Sequence, residues 1–104
     1  MAISADVLPP YHDALLRCAA RYLDMMKQHG VPADDPLAKF VIELIDGCYR
    51  VLPDRKLNRW LGYIQGIVIE RGFTTVTAER DWTRPLFRPL DFPSDEKIRE
   101  IAEN

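Results

Sequence analysis

The sequence lacks most of the features that mark a particular compartment. Its two cysteines, Cys18 and Cys48, are too few for the disulfide framework of a small secreted domain. The chain does not begin with a charged segment followed by an apolar run, so we expect no signal peptide. No run approaches the roughly 20 apolar residues that span a bilayer. We therefore expect a cytoplasmic protein that has no membrane partner.

The chain also has little net charge. A formal charge of −2 over 104 residues argues against nucleic acid as a partner, because general nucleic-acid binders are strongly basic. The charge is unevenly spread: residues 54–88 carry seven basic and four acidic residues, whereas residues 89–104 carry two basic and five acidic residues. A basic middle beside an acidic end can neutralise itself within the fold.

Recognisable catalytic sets are absent as well. The chain has no glycine-rich phosphate loop and no Ser-His-Asp set. His12-Asp13 resembles the metal-binding dipeptide of phosphohydrolases, but the only other histidine, His29, lies at the far end of the same predicted helix. We therefore predict that His12 is a surface residue. Cys18 and Cys48 lie on apolar stripes and are predicted to be buried and unreactive. We expect no enzyme activity, no metal and no cofactor.

What the chain does contain is apolar spacing typical of helices. Offsets of three and four residues predict helices from Tyr11 to about His29, from Pro36 to about Leu52 and from Asp54 to about Arg71. Gly30 and Gly72 are suited to end the first and the third of these helices. Short connections favour antiparallel neighbours. The sequence therefore predicts one all-α domain over residues 1–104, a small three-helix bundle with the third helix at its centre.

The two ends of the chain are less regular. Residues 1–8 are predicted to form an N-terminal arm that ends at Pro9-Pro10. A short helix is predicted from about Thr77 to Arg84. Residues 85–93 should then run extended as a proline-rich strap, because residues before proline avoid the α region. A last short helix is predicted from Ser94 to about Ala102.

The most informative stretch is the predicted third helix around residues 59–66. On a helical period Gly62 and Gly66 fall opposite the apolar arc of this helix, on the side of Arg55 and Arg59. Each glycine costs a helix interior up to about 1 kcal/mol relative to alanine, and the usual reason to keep one is close approach of another group. Two explanations remain open. Either the strap or Trp82 covers the glycines within the chain, or another protein molecule does.

A second group of side chains follows this helix. Arg80, Arg84 and Arg88, with Trp82 among them, could bind a phosphate or a nucleotide, because arginine pairs with phosphate and stacks on aromatic rings. The alternative is a solvated, salt-bridged surface, since the same segment also carries acidic residues: Glu79, Asp81 and Asp91.

Part of the chain resembles a group of phage proteins. The residues concerned are Arg59-Trp60-Leu61-Gly62-Tyr63-Ile64-Gln65-Gly66, then Gly72, Glu79-Arg80-Asp81 and Thr83-Arg84-Pro85-Leu86-Phe87. They resemble small accessory proteins of tailed phages and prophages, which pair an RWLGxxQG helix with a following ExxR turn. The resemblance covers about residues 57–87 and implies no catalytic residue. It implies a phage or prophage product, made in the bacterial cytoplasm, that acts on a host or defence protein.

The function that we expect is therefore non-enzymatic protein binding, as a phage-encoded modulator or inhibitor of a host or defence protein. Arginine and tryptophan are enriched at binding hot spots. The candidate contact residues are Arg55, Arg59, Gly62, Gly66, Arg80, Trp82, Arg84 and Arg88. One alternative is a phosphate or nucleotide binder that uses the Arg/Trp group. The other is a homodimeric phage accessory or assembly protein joined through the two glycines.

Overall fold

The computed structural model describes residues 8–91, which form four α-helices and no strand. The helices are α1 (Pro10–Gln28), α2 (Pro36–Tyr49), α3 (Asp54–Glu70) and α4 (Val76–Asp91). The prediction of an all-α fold is confirmed. None of these four helices is both long and apolar enough to cross a membrane. The predicted last helix lies outside the described residues, as do residues 1–7 of the predicted arm.

Helix α1 lies at the centre of the fold and packs against each of the other three helices. Its inner face carries Leu15, Cys18, Tyr22 and Met26, which are at most 1% exposed. The predicted stripes of α2 and α3 meet this face with further buried side chains: Val41, Leu44, Cys48, Leu57, Leu61, Ile64 and Val68. The prediction that the third helix is central was wrong. Only one face of α3 is packed, and α4 packs mainly on α1.

Helices α1 and α3 end in the same hydrogen-bonded turn, and each turn contains a glycine in the left-handed conformation. The φ angle is 74° at Gly30 and 80° at Gly72. At the end of α1, Gly30 N–H donates to the carbonyl of Lys27 and Val31 N–H donates to the carbonyl of Met26, at 3.1 and 2.9 Å. This pair of bonds satisfies the last carbonyl groups of the helix. Gly30 and Gly72 therefore end the first and the third helix, as the sequence predicted.

The same turn ends α2, but here the left-handed residue is Val51, with φ of 51°. Val51 N–H donates to the carbonyl of Cys48 and Leu52 N–H donates to the carbonyl of Gly47, at 3.1 and 3.0 Å. A β-branched residue is strained in this conformation, because its Cβ approaches the following carbonyl oxygen. We expect Val51→Gly to raise the free energy of unfolding by about 1 kcal/mol, since strain of 1–2 kcal/mol exceeds the backbone entropy that glycine loses.

Urea unfolding followed by circular dichroism measures this difference. The matched control is Gly30→Val, which places the same side chain in the same turn at the end of α1 and should destabilise the protein. Nothing lies within 4 Å of a Cβ built at Gly30, so the control tests backbone strain without a clash. A Val51→Gly protein that is less stable than the wild type contradicts the assignment of strain to this residue.

Helix α4 corrects the prediction of an extended proline-rich strap. It begins after Thr75, whose hydroxyl accepts from Ala78 N–H at 3.1 Å, and it continues through Pro85 and Pro89 to Asp91. Each internal proline removes one helical hydrogen bond and is normally unfavourable there. Packing offsets that cost, because Leu86 and Phe87 lie against the core. The described residues thus form a fourth helix where the strap was predicted, and only residues 92–93 of the strap lie outside them.

Candidate functional site

The outer face of α3, formed by Arg55, Arg59, Gly62, Gly66 and Glu70, points away from the core. All five residues are exposed. Apart from the chain neighbours of each glycine and the nearby backbone of α3 itself, no atom of the described residues lies within 4 Å of a Cβ built at Gly62 or at Gly66. The explanation that the strap or Trp82 covers these glycines within the chain was therefore wrong for residues 8–91. Within the described residues the surface at the two glycines is open, as contact with another protein molecule would require.

An exposed aromatic side chain stands beside the two glycines. Tyr63 is 61% exposed, the largest value among the exposed large apolar residues of the described region. Its ring meets only the edge of the core, where its centroid lies 5.3 Å from that of Phe40. Phe40 also contacts Trp60, at 5.5 Å between ring centroids. An open groove of about 320 Å³ adjoins this aromatic group and is lined by Pro36, Leu37, Phe40, Tyr63, Ile67 and Arg71.

The charged side chains of this face are available for contact. Within residues 8–91 the side chains of Arg55, Arg59 and Glu70 form no ion pair and no hydrogen bond. The two arginines lie in the N-terminal half of α3, and Glu70 is its last residue. The outer face of α3 is therefore positive towards its N-terminal end and negative at its C-terminal end, and between them the two glycines present no side chain.

The structure does not bring the side chains of the second predicted group together. Arg80, Arg84 and Arg88 follow one another at four-residue spacing and are exposed on α4. Trp82 lies on a different side of the helix, where the guanidinium of Arg21 stacks over its ring at 4.7 Å. A shallow groove of about 200 Å³ near these arginines is lined by Thr83, Arg84, Phe87, Arg88 and Asp91. Asp91 adds a negative charge there, which disfavours an anion.

A buried carboxylate network, which was not predicted from the sequence, joins α1, α3 and α4. Glu79 is 4% exposed. Its Oε1 accepts from the guanidinium of Arg21 at 2.6 Å and from the hydroxyl of Tyr22, while its Oε2 accepts from the hydroxyl of Thr74 at 2.7 Å. Gln65 on α3 donates to the Tyr22 hydroxyl at 3.0 Å. The signal was the position of Glu79, at helical spacing from the partly buried Trp82 and Leu86.

The network sets the protonation states of its members. Burial raises the pKa of Glu79, but hydrogen bonds from Arg21, Tyr22 and Thr74 outweigh it and hold that pKa below its ordinary value of 4.5. Burial and the hydrogen bond to Glu79 raise the pKa of Tyr22. Glu79 is thus a carboxylate and Tyr22 a neutral phenol at neutral pH. Both carboxylate oxygens of Glu79 have partners within the protein, so the network holds the helices together.

His12 corrects another prediction, because it is buried rather than on the surface. The residue is 7% exposed, and Nε2 donates to the carbonyl of Leu52 at 2.6 Å. The other ring nitrogen, Nδ1, is buried without a partner among the described residues. This hydrogen bond joins the start of α1 to the strained turn at Val51 and Leu52, which ends α2. It has no group of metal-ligating side chains around it in the described region.

Both cysteines are buried, as predicted. Cys18 and Cys48 are fully shielded from solvent and are not disulfide-bonded. Burial raises the pKa of Cys18 to about 12 and that of Cys48 to about 11. Because the thiolate is the reactive form, both thiols are inert near neutral pH.

Comparison with protein-family models, curated proteins and solved structures finds no match to this chain.

Proposed function

We propose that this chain is a non-enzymatic protein-binding module that contacts its partner through the outer face of α3. The observation that carries the proposal is the open surface at Gly62 and Gly66, with Tyr63 largely exposed beside it. Glycine in a helix interior destabilises the helix, and no close contact within residues 8–91 explains either residue. A partner helix or a flat side chain that approaches the backbone gives both glycines a role.

The resemblance of residues 57–87 to accessory proteins of phages and prophages supports a more specific form of this proposal. In that form the protein is phage-encoded, acts in the bacterial cytoplasm and modulates a host, defence or phage protein. The proposed contact surface lies at the RWLGxxQG helix, which is the core of the resemblance. Arg55 and Arg59 at the rim supply the residue type that is enriched at binding hot spots.

Gly62→Leu tests the contact face. The new side chain enters open space, so the protein should fold with unchanged or greater stability while the bulk of leucine blocks the contact. Tagged wild-type protein and Gly62→Leu are each used to capture partners from a bacterial lysate that also contains the untagged chain. Mass spectrometry identifies the captured proteins. We expect at least one protein that the wild type retains and Gly62→Leu loses.

Lys39→Leu is the matched control, because it places a leucine at an exposed position of α2 away from the proposed face. It should capture the same proteins as the wild type. Circular dichroism and urea unfolding establish that all three proteins are folded. Identical capture by Gly62→Leu and the wild type would show that the outer face of α3 is not the contact surface.

A further inference from the structure

The outer face of α3 is complementary to itself when two copies of the helix run in opposite directions. Its charges are positive at Arg55 and Arg59 and negative at Glu70, with Gly62 and Gly66 between them. In an antiparallel pair whose two-fold axis passes between Ile64 and Gln65, Arg59 of each copy lies opposite Glu70 of the other. A parallel pair would instead place like charges opposite one another. The order of charges along the helix therefore favours the antiparallel pair over the parallel one.

The antiparallel pair also provides a contact for the exposed side chain of Tyr63. When Arg59 lies opposite Glu70, Tyr63 of each copy lies opposite Gly66 of the other, because the residue numbers of facing positions have the same sum. Tyr63 is 61% exposed, and apart from its chain neighbours and the nearby backbone of α3, a Cβ at Gly66 would meet no atom of the described chain within 4 Å. The large side chain thus faces the position that has no side chain. Two helices pack closely when the side chains of one helix fit into spaces on the surface of the other.

We propose that the partner at the outer face of α3 is a second copy of this chain, bound antiparallel across a two-fold axis. The inference rests on the proposed function, since it names the partner at the same contact face. A two-fold interface is made of the same patch on both copies, so each contact occurs twice. The pair would contain two Arg59–Glu70 ion pairs and two Tyr63–Gly66 contacts. Arg59 and Glu70 have no ion pair within residues 8–91 that would compete.

Charge reversal tests both the dimer and its direction by sedimentation velocity over a range of protein concentrations. Arg59→Glu and Glu70→Arg should each raise the dissociation constant by about tenfold or more, because each places like charges opposite one another twice. An equimolar mixture of the two variants should restore the wild-type affinity, since the mixed dimer has two opposite-charge pairs. Within one helix these positions are eleven residues, or roughly 16 Å, apart, so the restoration cannot arise inside one copy.

Lys39→Glu is the control, because it makes the same change of charge at an exposed position of α2 and should leave the dimer unchanged. Urea unfolding checks that every variant is folded. A wild-type protein that stays monomeric at all concentrations overturns the self-association but leaves capture through Gly62 as a separate test of the contact face. A dimer that forms equally well in both single variants, or a mixture that fails to restore it, overturns the antiparallel pairing.

Discussion

Replacing Glu79 with alanine should lower the free energy of unfolding by about 3 kcal/mol, because it leaves a partly buried cation and a buried hydroxyl without their acceptor. The guanidinium of Arg21 and the hydroxyl of Tyr22 both bond Oε1 of Glu79, and the side chains of Arg21 and Glu79 are only 23% and 5% exposed. Removing one member of a buried pair costs more than the pair contributes, since the remaining charge stays desolvated. Urea unfolding measures the loss.

The matched control for this experiment is Glu43→Ala, which removes the same carboxylate from an exposed position of α2. It should change the free energy of unfolding by no more than about 0.5 kcal/mol. Equal effects of the two substitutions would contradict the assignment of Glu79 as the residue that joins α4 to α1.

The same carboxylate makes stability depend on pH in a defined range. Its pKa in the folded protein lies below the ordinary value of 4.5, so the stabilisation is complete above pH 4.5 and is lost as the pH falls through the folded pKa. Glu79→Gln has no such titration. The difference in free energy of unfolding between the wild type and Glu79→Gln should therefore shrink as the pH is lowered below 4.5. All other carboxylates are common to both proteins and cancel.

The repeated apolar spacing was enough to predict α1, α2 and α3 within a few residues of their observed ends. That pattern reflects burial on one face, and burial is what forms these helices. The length of α4 was not predictable in the same way, because Pro85 and Pro89 oppose a helix locally while Leu86 and Phe87 favour it through contacts with distant residues. The local preference of the prolines predicted an extended strap, whereas packing against α1 favours the observed helix.

The glycines show the same limit at the candidate site. The sequence left open whether this chain or another protein molecule approaches Gly62 and Gly66, and in the described structure both face open space. The close approach within the fold is at Gly47, which lies on the buried side of α2. The sequence around a glycine does not show whether another helix packs against it or whether it faces open space, because that depends on where the neighbouring helices lie. The prediction of Arg55 and Arg59 as exposed rim residues needed only the helical period and agrees with their exposure.

Gly47→Val should lower the free energy of unfolding by about 2–3 kcal/mol, because the core has no space for its side chain. A Cβ at residue 47 would lie 2.7 Å from Cδ2 of Leu57 and 3.3 Å from Cδ1 of Leu52. Leu57 is fully buried, so it cannot move aside into solvent. The contrasting substitution is Gly62→Ala, which enters open space and should raise the free energy of unfolding by up to about 1 kcal/mol.

A second substitution tests whether the clash with Leu57 is the cause of the instability. Leu57→Ala alone should cost about 3 kcal/mol by leaving a cavity between α2 and α3. In the double variant Gly47→Val/Leu57→Ala the valine occupies part of that cavity, so the combined loss should be smaller than the two losses added together by about 1 kcal/mol or more. Strict additivity in urea unfolding would mean that Leu57 is not the obstacle. A coupled result would establish that α2 and α3 meet closely at Gly47, on the face of α3 opposite Gly62 and Gly66, so that α2 does not cover these two glycines.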